Sequence, residues 1–400
     1  MQTGKAHLTY CTNIHAGESW PDHFKALQNN FPAIKKELSP QGKAGIGLRL
    51  SNEASITLSE EKNLTEFKNW LQENNAYVFT MNGFPYGGFH HTRVKDNVHT
   101  PDWTTRERVD YTKRLFDILI KLVPKGLDGG ISTSPLTYRH WFKNNSPELK
   151  EAREIATQHF VEIAEYLIEI KKQTGVVLHV DIEPEPDGLL ETGPEFIEWF
   201  EKDLIPSGEA VLGERLGLNE TEAAEAIKEH IRLCYDICHF AVGYENHADV
   251  LEALKSKGIK VGKIQISAAL KAGMVENRAE VKAAFEKFNE STYLHQVVAK
   301  KNDESLIRYP DLPEALVDAE NAEVKEWRAH FHVPLFIEDL NFLKTTQSDI
   351  QELLELFNAC PFTNHLEVET YTWEVLPEAL KLPIQQSIVR ELKWVKEILR

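Results

Sequence analysis

Cysteine is scarce in this chain. Four in 400 residues (Cys11, Cys234, Cys238, Cys360) are too few and too scattered for a disulfide framework. Cys234 and Cys238 also lack Cys-x-x-Cys spacing, so they read as small packing residues rather than ligands. No stretch approaches the ~18 consecutive apolar residues of a membrane span. The opening residues MQTGKAHLTYCTNIH hold no apolar core of a secretory signal. The expectation is a soluble cytoplasmic protein without direct membrane insertion. Basic charge is short as well: 45 Lys and Arg against 62 Asp and Glu leave a net −17. Such a chain repels a phosphate backbone, so no nucleic-acid partner is expected. Also missing are a Gly-x-Gly-x-x-Gly turn after the first strand candidate, a Pro/Ser/Gly-rich linker and an internal repeat. One domain over 1–400 is expected.

What is present is alternation. Strand candidates fall at 7–15, 44–51, 76–85, 127–135, 176–186, 231–240, 261–269 and 364–373. Amphipathic stretches such as 60–75, 106–124 and 147–175 lie between them, with apolar residues at i, i+3, i+4 and i+7. Eight strands each followed by a helix predict an α/β fold with a parallel sheet, closed as a (β/α)8 TIM barrel. Residues 270–360, with a strand-like run at 328–336, break the alternation. A connection that long is usually functional. It is expected as an insertion between strands seven and eight, a lid over the C-terminal mouth.

In such barrels the C-terminal strand ends build the active site. Here they read Asp181-Ile-Glu183-Pro, Tyr235-Asp236-Ile-Cys-His239, Lys263-Ile-Gln265-Ile-Ser267 and Glu367-Val-Glu369-Thr. Period-two geometry puts His179, Asp181 and Glu183 on one face, and likewise Lys263, Gln265 and Ser267, and His365, Glu367 and Glu369. The intervening Val, Ile and Leu pack outward, so the acids point inward, where unpaired charge costs several kcal/mol. An oxygen-bound divalent cation resolves this. The alternative is an ion-pair network in which Lys263 compensates Asp181 or Glu367, and the two can coexist in successive layers.

The segment CYDICHFAVGY is similar to the Asp-x-x-His segment of the xylose-isomerase-like TIM barrels, notably their endonuclease IV branch. Glu183-Pro184 resembles the first metal glutamate of sugar isomerases and epimerases in that superfamily. Gln265 matches the third-ligand position, and Glu369-Thr370 resembles the last metal glutamate. The strings TMNGFPYGGFH, VKDNVHTPDWTTRERVDYT, HVDIEPEPDGLLET, ESTYLHQV and HLEVETYTWEVLP resemble the metabolite traffic protein EboE family and span nearly the whole sequence. The resemblance implies a sugar-isomerase-like barrel handling a small metabolite, with no reaction assigned, and related barrels commonly pair as homodimers. It also has departures. The endonuclease branch brings histidines from strands three and four, whereas strand four here ends Ser132-Thr133-Ser134. His330-Phe331-His332 sits roughly where that branch has an Asp-x-His zinc pair.

Glu183, Asp236, Gln265 and Glu369 are therefore the expected metal ligands, with Glu367 the alternative on the last strand. An all-oxygen set favours Mg²⁺ or Mn²⁺, and added imidazoles favour Zn²⁺. A second cation through His239, His330 or His332 stays open. In the resembling epimerases two metal glutamates exchange protons through an enediolate. Carried over, Glu183 and Glu369 are the acid/base pair, and His239, bending back over the site, joins the catalytic set. Substrate-binding candidates are His15, Arg49 as an anion clamp or a salt-bridge partner, and the aromatic-glycine loop with Asn82, Phe84, Tyr86 and His90. Trp103, His295 and Arg308 are further lid candidates. Three functions follow: a metal-dependent isomerase or epimerase of a polyol-like or carbonyl metabolite, a zinc-dependent phosphodiester hydrolase, or a non-catalytic metabolite-binding protein.

Overall fold

The structure, a computed structural model, describes residues 1–4, 6–88, 94–371 and 382–399. A short β1 (Gln2–Thr3) pairs antiparallel with β2 (Ala6–Tyr10). Then follow β3 (Ala44–Arg49), β4 (Ala76–Asn82), β5 (Gly129–Thr133), β6 (Leu178–Ile182), β7 (Ile231–Asp236) and β8 (Val261–Ile266). The last strand of the same sheet, β15 (His365–Val368), lies between β2 and β8. Eight parallel strands thus run in the order β2-β15-β8-β7-β6-β5-β4-β3. The ring closes through a parallel bridge between Cys11 and Gly47, supported by Thr9 Oγ1 donating to Gly45 O at 2.9 Å. This is a (β/α)8 barrel.

The helices form where the periodicity places them. Ser146 caps the helix Pro147–Thr174 by accepting from Leu149 N, and Gly175 ends it in the left-handed conformation at φ 74°. Outward strand residues such as Ile131, Val180, Leu233 and Ile264 join the helix side chains Phe116, Leu119, Phe160 and Leu167 in one apolar core. The barrel interior is polar instead. Lys263 Nζ donates to Met81 O at 3.2 Å and lies 3.5 Å from Glu367 Oε1, with both side chains fully buried. Burial pulls Lys263 down, but the Glu367 carboxylate together with Cys234, Cys11 and Asp181 outweighs it and holds the ammonium above its ordinary range.

These inward groups need space from across the barrel. A Cβ on Gly262 would overlap the Asp181 carboxylate, and one on Gly47 would overlap that of Glu367. Gly262→Ala is expected to cost about 1–3 kcal/mol by overpacking, read as a lower urea midpoint at unchanged slope.

Between β8 and β15 the chain builds a second, antiparallel sheet. Its strands are β9 (Leu270–Gly273), β10 (Val297–Lys301), β11 (Leu306–Tyr309), β12 (Val324–Ala329), β13 (Asp339–Leu340) and β14 (Leu343–Thr345). They lie in the order β11-β10-β12-β9-β14-β13 around a buried Trp327. The helix Gln347–Ala359 then returns the chain to β15. The strand-like run at 328–336 starts inside β12 but leaves the sheet at His330. There His330 N bonds to Gln296 O and Val333 N to Ala268 O, which lays the segment across the end of β8. Among the described residues no helix is long and apolar enough to cross a membrane.

Candidate metal centre

Three strand ends deliver the expected acids to one place. Glu183 follows β6, its N–H bonded to Thr133 O at 3.0 Å, and Glu369 follows β15, its N–H bonded to Ile266 O at 3.0 Å. Asp236 ends β7. Oxygen atoms of Glu183, Asp236 and Glu369 lie within 4.8 Å of one another, and the three residues are 3%, 0% and 4% exposed. Burial, then Glu369 and Asp236, push Glu183 well above the carboxylate range. Burial, Asp236 and Glu367 do the same to Glu369. Such a cage must take up protons or a cation, and its hard oxygen donors fit a divalent ion.

The carboxylates are not held alike. Glu369 Oε1 accepts from Asn13 Nδ2 at 2.7 Å and Asn82 Nδ2 at 2.9 Å, and its Oε2 accepts from Gln265 Nε2. Among the described residues Glu183 has no comparable clamp: its neighbours are Cys234 Sγ at 3.7 Å and His239 Nδ1 at 3.8 Å. Gln265 Oε1 accepts from Cys234 Sγ at 2.8 Å. Expected as an oxygen ligand, Gln265 here supports Glu369. Glu367 sits a layer below with Lys263, so Glu369 is the strand-end carboxylate that faces the cage.

Beside the carboxylates lie three imidazoles. His239 Nδ1 donates to Pro184 O (3.0 Å), His330 Nδ1 to Gln296 Oε1 (2.8 Å) and His332 Nδ1 to Glu369 O (3.0 Å). Carbonyl acceptors fix the proton on each Nδ1 and leave a lone pair on each Nε2. Those atoms converge: His239 Nε2 is 3.1 Å from His330 Nε2, which is 3.3 Å from His332 Nε2. Burial is the main force lowering all three, His239 to about 4, so they are neutral at pH 7. Lone pairs that close repel unless an electrophile joins them. A tetrahedral ion with bonds of ~2.0–2.1 Å sets ligand atoms about 3.3–3.4 Å apart, close to these distances.

Asp236 belongs to both sets. Its Oδ1 accepts from Ser267 Oγ at 2.5 Å and His239 N at 3.3 Å. Its buried Oδ2 has no hydrogen-bond partner among the described residues and lies 3.9 Å from His239 Nε2. Asp236 groups with His239 and His332 as readily as with Glu183 and Glu369.

The cluster floors a cavity of about 60 Å³, room for ions and a few water-sized groups. The barrel lines it with Asn13, Asn82, Phe84, Pro85 and Glu185, and segments flanking the inserted strands with Tyr293, Leu294 and Gln296 besides His330 and His332. On its wall His99 Nε2 lies 3.1 Å from Glu185 Oε1. Burial, with Arg108 adding, lowers His99 to about 3, and burial with Asp236 and Asp187 raises Glu185. The folded protein therefore keeps His99 neutral where the unfolded chain, at an ordinary 6.5, takes a proton. Its contribution is complete above pH 6.5 and lost as pH falls toward 3, at up to about 1.4 kcal/mol per pH unit. His99→Phe should flatten that acid limb of urea stability measured across the same range.

The other expected substrate groups divide. Asn82 and Phe84 line the cavity. His295 stands behind it, Nδ1 bonded to His330 O at 3.0 Å and Nε2 to Glu290 at 2.8 Å. Arg49 is not in the lining: it pairs with Glu18 at 2.8 Å and bonds the carbonyls of Pro85 and Gly87, fixing the loop instead of clamping an anion. His15 turns to Tyr10 OH at 3.1 Å. Tyr86 packs on Tyr111, and Arg308 pairs with Glu191 at 2.7 Å. Trp103, expected in a lid, is fully buried between Thr133 and Phe160. His90 lies outside the described residues. Sequence reasoning missed Asn13, Glu185, His99 and Gln296. Glu185 alone carried a signal, two residues after Glu183 in Glu-Pro-Glu-Pro.

No family model and no curated protein matches the chain. It is similar in structure to the probable 3-DHS dehydratase AsbF involved in petrobactin synthesis from Bacillus anthracis, at 12% identity and TM-score 0.45, covering 97% of this chain and 98% of that one. IolI, described with a binding zinc atom, is similar at 14% and 0.45, covering 98% of both chains. A xylose isomerase domain protein from Planctomyces limnophilus is similar at 13% and 0.46, covering 98% and 93%. At these values the likenesses carry no argument about chemistry, and the barrel assignment rests on the strand order above.

Proposed function

We propose that this chain is a metal-dependent enzyme that moves a proton on carbon next to a carbonyl in a small hydroxylated metabolite. The observation that carries the reading is the unequal holding of two buried glutamates. Burial pushes both toward protonation, but Glu369, gripped by three amides, cannot swing, whereas among the described residues Glu183 lacks such a grip. Glu183 is thus the group that takes and returns the proton, and Glu369 fixes the geometry. Glu183, Asp236 and Glu369 would hold one cation, and Asp236, His239 and His332 a second, with His330 Nε2 beside that set at 3.1 Å from His239 and 3.3 Å from His332. When bound, the ions supply Lewis-acid polarisation of substrate oxygens. Phe84, Val94, Val98 and Leu294 supply the apolar wall that excludes water. The resemblance to the EboE type agrees with a small metabolite as substrate.

The test is deuterium exchange from D₂O into a panel of small hydroxyketones by metal-loaded protein. Glu183→Gln, compared with the parent protein at equal metal occupancy because it also weakens a ligand, should lose at least about 100-fold in exchange, the usual weight of a general base. A second reading, phosphodiester hydrolysis, is favoured by the histidine set, since paired cations serve such displacements. Cleavage of a chromogenic phosphodiester without exchange would select it. Neither activity, with a ligand bound, would leave a binding protein.

A further inference from the structure

The closed end of the barrel, opposite the mouth, carries a second histidine–carboxylate cluster that the proposed reaction does not use. Asp128 precedes β5, His179 lies in β6 and His365 begins β15. Asp128 Oδ1 is 3.2 Å from His365 Nε2, and its Oδ2 is 3.4 Å from His179 Nε2. Behind His179, Asp181 Oδ1 takes the Nδ1 proton at 2.6 Å. A carboxylate in that position fixes the tautomer and leaves Nε2 a lone pair, as behind metal-bound histidines. His179 is 0% exposed, yet among the described residues its Nε2 makes no hydrogen bond, and it points at Asp128.

We propose that Asp128, His179 and His365 hold a structural transition-metal ion, zinc in chemistry, at the closed end of the barrel. The spacings of 3.2 Å from Oδ1 and 3.4 Å from Oδ2 lie near the ligand–ligand separation of about 3.3 Å in a tetrahedral ion with bonds of ~2.0–2.1 Å, and one ligand atom from each of the three residues lies within 4.8 Å of the others. One carboxylate and two imidazoles leave a fourth position for water, and Asp128, 19% exposed, gives the entry path. Arg232 Nη1 and Asn364 Nδ2 also reach Asp128, at 3.1 and 3.0 Å. A carboxylate has about four acceptor sites, so both fit beside the ion. In the rival arrangement a proton replaces the metal and His179 is an imidazolium clamped between Asp128 and Asp181.

The N-terminal face of such barrels serves stability, so the readout is binding rather than turnover. Protein carrying Asp236→Asn and His330→Ala, to disable the mouth, is loaded with Co²⁺, dialysed and assayed by mass spectrometry and visible absorption. One retained equivalent with tetrahedral d–d bands, lost on adding Asp128→Asn or His179→Gln, supports the proposal. No retained cobalt in protein that keeps its circular dichroism would overturn it, as would cobalt that survives both additions. Should the combined variants not fold, His179→Gln in the otherwise intact chain must lower total bound metal by one equivalent, and an unchanged total sinks the idea.

Discussion

Replacing Asp236 by asparagine is expected to remove two cations from the mouth of the barrel, and His330→Ala only one. Asp236 is the residue that the carboxylate set shares with His239 and His332, and its Oδ2 is a buried oxygen without a hydrogen bond among the described residues. Asparagine keeps the volume. It also keeps the acceptor that caps the helix Ile237–Val242 through His239 N, so the fold has no reason to fail. Loss of an outer-shell partner alone typically costs 10–100-fold in metal affinity, so loss of a shared ligand should cost on the order of 100-fold or more at each site. Mass spectrometry after dialysis gives the count directly. Equal losses from the two variants would show that Asp236 serves one ion only.

The second large effect lies one layer deeper. Lys263→Met should destabilise the protein by about 3–5 kcal/mol, because Glu367 is then a buried carboxylate without its cation. The double variant Lys263→Met, Glu367→Leu should recover much of that, since two apolar side chains replace the pair. Metal content at the mouth should not change in either, because Glu369 rather than Glu367 faces the cage. Urea denaturation of the metal-free proteins measures this, and a loss below about 1 kcal/mol for the single variant would refute the pairing.

Much of this was legible in the sequence, and where it failed the reason is physical. All eight barrel strands form at the expected places, but each ends earlier than expected: 7–15 becomes Ala6–Tyr10, and 231–240 becomes Ile231–Asp236. The overshoot is the site itself, where polar residues turn off the sheet while their sequence still alternates. Glu183, Asp236 and Glu369 could be found because period two fixes which residues face inward. Asn13 could not, because it lies in a 3₁₀ turn that period two does not describe, so the nearby His15 looked like the better candidate. Trp103 and Tyr86 looked like lid aromatics amid polar neighbours, but contacts distant in sequence, Phe160 and Tyr111, bury or cover them. The inserted sheet was hidden for a related reason: its strands have two to six residues and pair across long separations, as β9 does with β12.

The histidine set has a consequence for the inserted sheet. His239 belongs to the barrel, whereas His330 and His332 lie just past the inserted strand β12, where the chain crosses the end of β8. A cation there is a clasp between two layers, and its binding free energy is shared with the docking of one upon the other. Free ion at 100 times its dissociation constant adds about 2.7 kcal/mol to the closed form. Chelation should therefore speed amide hydrogen exchange in the inserted sheet before it touches the barrel strands, so that cellular metal supply would set how tightly the mouth is shut.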